Sequence, residues 1–272
     1  MNLEPGRIWA IAIKEFRDRI RNRWVLTITA VLALFSLVIV YFGAAQQGTV
    51  GFIGIEPTLA SLVSLVIYLM PLIALLLGFD TIAGERERGS LDLLLSFPIT
   101  PLELLLGKFT GLSLALALST LAGFGLAGGL LCLWIDITAL SPYLGFMFSA
   151  VLMGMSFLSL GVMVSVCAAD RTQASGIAIG LWFFFVLAYD LLLLGLLVAS
   201  EGSFAPDLVP LLLLLNPADV FRILNIFNLE EVRTLYGLAT VFPEGLANPW
   251  LLGGVMLAWI LAPLGIAAWR FK

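Results

Sequence analysis

Residues 80–108 read DTIAGERERGSLDLLLSFPITPLELLLGK, a charged interruption between two apolar runs long enough to cross a bilayer. Its internal order decides the rest of the reading. Ser90 is placed to cap a short helix in which Leu91, Leu94 and Leu95 fall on one side, at spacings of three and four. Pro98 ends that helix. Thr100-Pro101-Leu102-Glu103 then has the form of a capping box with proline at the first helical position. A second helix restarts there and runs through Lys108 into the membrane. A helix, a break and a capped restart at a membrane face, with leucines showing, make a handle for another protein.

Working outward, the chain is 61% hydrophobic and only 12% charged. No soluble domain of this length needs so much apolar surface, so the fold class is an all-α polytopic membrane protein. Its parts are an amphipathic interfacial helix at 1–24 and a single transmembrane domain at 25–272. Six spans are expected, at 25–43, 59–79, 109–135, 143–168, 174–199 and 250–269. Of the fourteen Lys and Arg residues, twelve fall in residues 1–24, in 80–108, at Arg171 or at Arg270 and Lys272. Only Arg222 and Arg233 lie on the opposite side. That asymmetry places both termini in the cytoplasm.

In the first 24 residues Trp9, Ala12, Ile13, Phe16, Ile20 and Trp24 repeat at helical spacing, with Arg7, Lys14, Arg17, Asp18 and Arg21 opposite. Such a helix lies in the headgroup plane against anionic lipid. A secretory leader has a shorter apolar core than residues 25–43, so an uncleaved anchor is expected.

The outer segment 200–249 is too long for a bare connection. Asn216-Pro217-Ala218-Asp219 supplies a capping residue, a proline and a first-turn acid. Val220, Ile223, Leu224 and Phe227 follow at helical spacing, which predicts an interfacial or re-entrant helix. Asp219, Arg222, Glu230, Glu231 and Arg233 are expected to form a polar docking surface for something outside the membrane. A loop that merely covers the bundle is the alternative.

The sequence excludes most chemistry. It has no histidine and two cysteines, so it lacks a Ser–His pair, HExxH and CxxC. Gly107-Lys108 opens a span and lacks the flanking residues of a phosphate-binding loop. Cys132, Cys167 and the intramembrane methionines read as packing residues, and no metal ligand is expected. Asp190 is the one carboxylate well inside a span and should face protein or water. It is either a structural hydrogen-bonding group or part of an interface or cargo-facing surface. Gly107/Gly111, Gly125/Gly129 and Gly176/Gly180 would allow close helix approach, and Pro71 should bend the second span. No basic segment with interleaved aromatics supports nucleic-acid binding.

This arrangement, with GERERGSLDLLLSFPITPLELLLGK as its most specific part, resembles the ABC-2 type permeases, the membrane subunits of ATP-binding-cassette exporters. The likeness covers essentially the whole chain. KEFRDRIRNRW, this loop and NPADVFRI are similar to the branch that serves copper-centre assembly in nitrous oxide reductase. The resemblance implies a homodimer in the bacterial inner membrane, a separate cytoplasmic ATPase and a periplasmic partner. It implies a coupling helix whose matching positions are Glu85, Arg86, Gly89, Leu91, Leu94, Leu95 and Pro98. This chain would then be no enzyme and bind no cofactor, with ATP and Mg held by the ATPase. A passive channel or scaffold, an intramembrane enzyme using Asp190, and an exporter of lipid or small cargo are the competing readings.

Overall fold

The computed structural model describes residues 3–42, 55–131, 141–199, 208–226 and 248–271. Every regular element among them is a helix. The elements are α1 (Pro5–Arg21), α2 (Trp24–Phe42), α3 (Ile55–Gly78), α4 (Asp80–Glu87), α5 (Ser90–Leu95), α6 (Pro101–Leu131) and α7 (Ser141–Cys167). They continue with α8 (Arg171–Phe183), a π-helical turn (Phe184–Ala188), α9 (Tyr189–Ala199), α10 (Leu208–Leu214), α11 (Pro217–Ile226) and α12 (Pro249–Arg270). Six of the described helical runs are long and apolar enough to cross a membrane, in the six places the sequence predicts.

The centre of the bundle is α7, which packs on α3, α6, α11 and α12. Lipid tails are as apolar as leucine, so small residues and internal hydrogen bonds decide which helices meet. Ser156 and Ser159 of α7 donate to the carbonyls of Met256 (3.4 Å) and Ile260 (2.6 Å) in α12. Gly161 meets Gly78 of α3 so closely that a Cβ on Gly78 would lie 2.9 Å from the Leu158 carbonyl oxygen. Toward the other end Tyr143 lies over Gly128 and donates to the Phe124 carbonyl at 2.6 Å.

The amphipathic helix ends sooner than its periodicity suggests. Asn22 and Arg23 make a turn, Arg23 taking a φ of +60°, and Trp24 already belongs to α2. Trp9, Ile20 and Trp24 stay exposed, as an in-plane helix against lipid requires. The side that meets protein is a different one, carrying Ile11, Ala12 and Glu15 against α6.

Of the three glycine pairs, only Gly107/Gly111 makes a close approach, and it receives α1 rather than another span. A Cβ would come within 2.6 Å of Ile11 at Gly107 and 2.5 Å of the Ala12 carbonyl at Gly111. Gly125, Gly129, Gly176 and Gly180 have open space at that position. Pro71 lies inside an uninterrupted α3, and the interruption comes at Phe79 instead. Cys167, expected to pack, is exposed where α7 ends. Cys132, Phe227, Glu230, Glu231 and Arg233 lie outside the described residues.

Candidate functional site

The loop at 80–108 is built from two short helices and the start of α6. Phe79 interrupts the helix, so the first turn of α4 has backbone donors without helical partners. Ser165 of α7 supplies the acceptor: its Oγ takes the N–H groups of Ile82 (2.8 Å) and Ala83 (2.9 Å). Gly89, at φ +70°, turns the chain between α4 and α5, a conformation glycine adopts without steric penalty. The N-cap is therefore Gly89, and Ser90 is the first helical residue rather than the cap. The freed Ser90 hydroxyl donates to the Glu85 carboxylate instead.

The capping box forms as predicted. Glu103 N–H donates to Thr100 Oγ1 at 3.2 Å, and Thr100 N–H donates to Glu103 Oε2 at 2.8 Å. The other carboxylate oxygen has a use that local sequence does not reveal. It accepts the Glu4 N–H at 2.9 Å, which ties the start of α1 to the start of α6.

Beneath the loop lies an ionic cluster. Lys108 is 4% exposed, and its Nζ lies 3.2 Å from both Glu15 Oε2 in α1 and Glu85 Oε1 in α4. Arg19 pairs with the second Glu15 oxygen at 3.0 Å. Two acids and two bases thus balance. The glycines make the cluster possible, because Gly107 and Gly111 let α1 settle onto α6 with Glu15 over Lys108. Burial pushes the Glu15 carboxyl up, but the charges and hydrogen bonds of Lys108 and Arg19 outweigh it and hold the group below its usual range. Glu15 is therefore ionised at neutral pH.

Neighbouring residues fasten the loop in other directions. Arg86 donates to the Ala168 carbonyl at 2.6 Å and, more weakly, to that of Val166 at 3.4 Å, which caps the end of α7. Asp80 pairs with Arg171 of α8 at 2.9 Å. Glu85, Arg86 and Asp80 hence join α4 to α6, α7 and α8 respectively.

The leucine face is reversed from its expected direction. Leu91 is buried and Leu94 and Leu95 pack on the core. Leu93 and Phe97 point outward, 65% and 57% exposed, beside exposed Asp92 and Pro98. The three leucines at helical spacing are an amphipathic core face, so they turn toward the bundle. The edge they leave outside carries Asp92, Leu93 and Phe97.

A second polar cluster sits where the bent pair α10–α11, a re-entrant loop or a broken span, meets the fifth span. α10 and α11 meet at 107°. Asn216 caps α11, its Oδ1 accepting from Ala218 N–H at 3.0 Å. Its Nδ2 donates to Asp219 (2.9 Å) and to the Phe185 carbonyl (2.9 Å). Arg222 bridges Asp219 at 2.6 Å and Asp190 at 2.9 Å. Asp219, expected on a docking surface, is only 1% exposed. It is buried because Asn216 and Arg222 satisfy both of its oxygens inside the bundle. Asp190, read from sequence as either a structural hydrogen-bonding group or an interface or cargo-facing residue, pairs with Arg222, expected on the docking surface.

Sequence reasoning missed Glu15 and the structural use of Lys108. A signal was present: a lysine about two turns into an apolar helix needs an acid partner. Nothing local says that the partner comes from α1.

These features, six spans behind an in-plane helix with a two-helix loop on an ionic base, define a permease architecture. Residues 9–272 match the family described as ABC-2 family transporter protein, and the chain belongs to it. It is 45% identical to the probable ABC transporter permease protein NosY of Pseudomonas aeruginosa, across 97% of this chain and 98% of that one. It is 43% identical to the protein of the same name from Stutzerimonas stutzeri, across 98% of each. The chain is an ABC transporter permease subunit, a multi-pass protein of the bacterial inner membrane.

Proposed function

We propose that this permease passes force from a separate, NosF-like cytoplasmic ATPase to a NosD-like periplasmic partner, in copper-site maturation of nitrous oxide reductase. The relatives' name supports the system, and the family resemblance supports a homodimer with both termini cytoplasmic. ATP and Mg belong to the ATPase, and this chain holds no cofactor in the proposed cycle.

The observation that carries the reading is the loop's construction. An exposed edge of Asp92, Leu93 and Phe97 sits on a base fastened to α1, α6, α7 and α8 at once. A partner pressing on that edge moves α4 and α5 as one piece. Glu85 passes the motion to Lys108 and α6, Lys108 to Glu15 and α1, and Arg86 to the end of α7. Rigid-body rocking of packed helices is the general transporter response to such a push.

The test replaces Leu93 and Phe97 by Ser. Both are exposed, so membrane insertion and thermal stability should be unchanged while co-purification of the ATPase is lost. Retained ATPase binding and ATP-dependent maturation would place the contact elsewhere.

A second reading, export of a lipid or other small apolar cargo, has one observation in its favour. A cavity of about 620 Å³ opens between α7, α11 and α12, lined by Phe146, Phe148, Leu152, Leu224 and Leu257, with Ser149 and Asn225 as its polar groups. Lipid flip assays on the reconstituted complex separate the two readings.

A further inference from the structure

We propose that Asn216, Asp219 and Arg222, with Tyr189 and Asp190, form a polar clasp holding the outer half of the fifth span to the bent pair, and that the π-helical turn is the hinge on which this half-span swings. The inference goes beyond the coupling reading and does not need an ATPase.

The fifth span is built in two unlike halves. Its middle is anchored: Phe185 and Val186 are buried, and Phe185 packs edge-on against Phe157 and Trp259. Immediately beyond it, α9 has no buried residue. Leu191, Leu192, Leu194 and Val198 are all exposed. No residue of this helix is enclosed by the rest of its own chain, so apolar packing within the chain does not fix its position. Polar bonds do.

Three such bonds cross from this region to the bent pair. Tyr189 Oη donates to the Leu212 carbonyl at 2.6 Å, Asn216 Nδ2 to the Phe185 carbonyl at 2.9 Å, and Arg222 to Asp190 at 2.9 Å. The receiving jaw is rigid, since Val220, Phe221, Ile223 and Ile226 of α11 are buried in the bundle core. Asp219 keeps Arg222 extended toward Asp190 from inside that jaw.

The π-helical turn lies where a hinge has to be. Tyr189 N–H bonds to the Phe184 carbonyl, five residues back instead of four. Inside this wider turn the Phe185 carbonyl also accepts from Asn216. Such insertions mark places where a helix is bent or redirected. Releasing the clasp frees α9 beyond an anchored pivot.

The eleven residues of α9 make a rod about 16 Å long, so a swing of ~20° moves its tip by about 6 Å. Spin labels at Val198→Cys and Leu144→Cys, both exposed positions, read that displacement. The full chain carries Cys132→Ser and Cys167→Ser, sits in lipid nanodiscs and is diluted with unlabelled chain. The parent should give one narrow distance. Asp190→Ala and Arg222→Gln should each add a second population displaced by about 6 Å or more. Asp190→Glu, which keeps a carboxylate acceptor, should retain the single distance, and Tyr189→Phe should give a smaller second population. If Arg222→Gln does not insert, Asp190→Ala decides, because Asp190 is partly exposed and its side chain makes one bond to Arg222. An unchanged distribution in Asp190→Ala would overturn the clasp. So would the same shift from Leu192→Ala, which leaves every polar bond intact. The readout involves no nucleotide, so failure here leaves the coupling reading standing, and failure of that reading leaves this one untouched.

Discussion

The two ends of the fifth-span region and of the loop base solve one problem in opposite ways. Each sets two carboxylates around a basic residue in a low-dielectric setting. At the loop base, Glu15, Lys108 and Glu85 come from three helices that are buried around them, with glycines drawing α1 onto α6. At the far cluster, Asp219 and Arg222 come from one buried helix, while Asp190 comes from α9, in which no residue is buried. A buried pair closed on every side is a weld, because breaking it strands a charge. A pair with one partly exposed member is a fastening that can open.

The largest effect should come from cutting the weld. Lys108→Met leaves Glu15 with Arg19 alone and takes the buried counter-charge from Glu85, and should lower stability by about 3 kcal/mol. Thermal unfolding in nanodiscs measures it. Arg222→Gln is expected to cost less, about 1–3 kcal/mol, since glutamine still donates to Asp219 and Asp190 is not enclosed by protein. Equal losses for the two would erase the distinction between weld and fastening.

Gly111→Val sharpens the same comparison from the steric side. It drives a Cβ into the Ala12 carbonyl and should cost about 1–3 kcal/mol, or lift α1 off α6. Gly180→Val, where the space is open, should leave unfolding unchanged. Smaller still, Thr100→Ala removes one half of the capping box and should cost about 1 kcal/mol.

Acid tests the weld by protonation. Glu15 has a folded-state pKa held below its usual value, so its contribution is fully present above the unfolded value near 4.5. It is lost as pH falls through the lowered folded value. The stability difference between the parent and Glu15→Gln should therefore be constant from pH 7 to about 5 and shrink only below that. A difference that shrinks near neutrality would show that the ion pairs do not set the behaviour of Glu15.

Most of the fold was legible because its signals are local. Hydropathy located six spans, and Thr100-Pro101-Leu102-Glu103 located the start of α6 to the residue. Asn216-Pro217 marked the start of α11 for the same reason, since a cap is a contact within one turn. The leucines at 91, 94 and 95 marked a helix face correctly, but periodicity does not say which way a face points. The bundle supplied the apolar side, so that face turned in and Leu93 and Phe97 were left outside. Asp219 misled in the same manner: an acid in a first turn suits a helix N-terminus whether it meets water or an asparagine.

What the sequence alone determined is the six apolar runs, the starts of α6 and α11 and the family, because each is written in runs of adjacent residues. What only the tertiary structure decided is which charges meet. Glu15 and Lys108 are 93 positions apart, and Asp190 and Arg222 are 32 apart. Their pairing depends on the depth at which Gly107 and Gly111 let α1 settle, and on where a π-helical turn aims Tyr189 and Asp190. Those are properties of packed surfaces, and no single segment contains them.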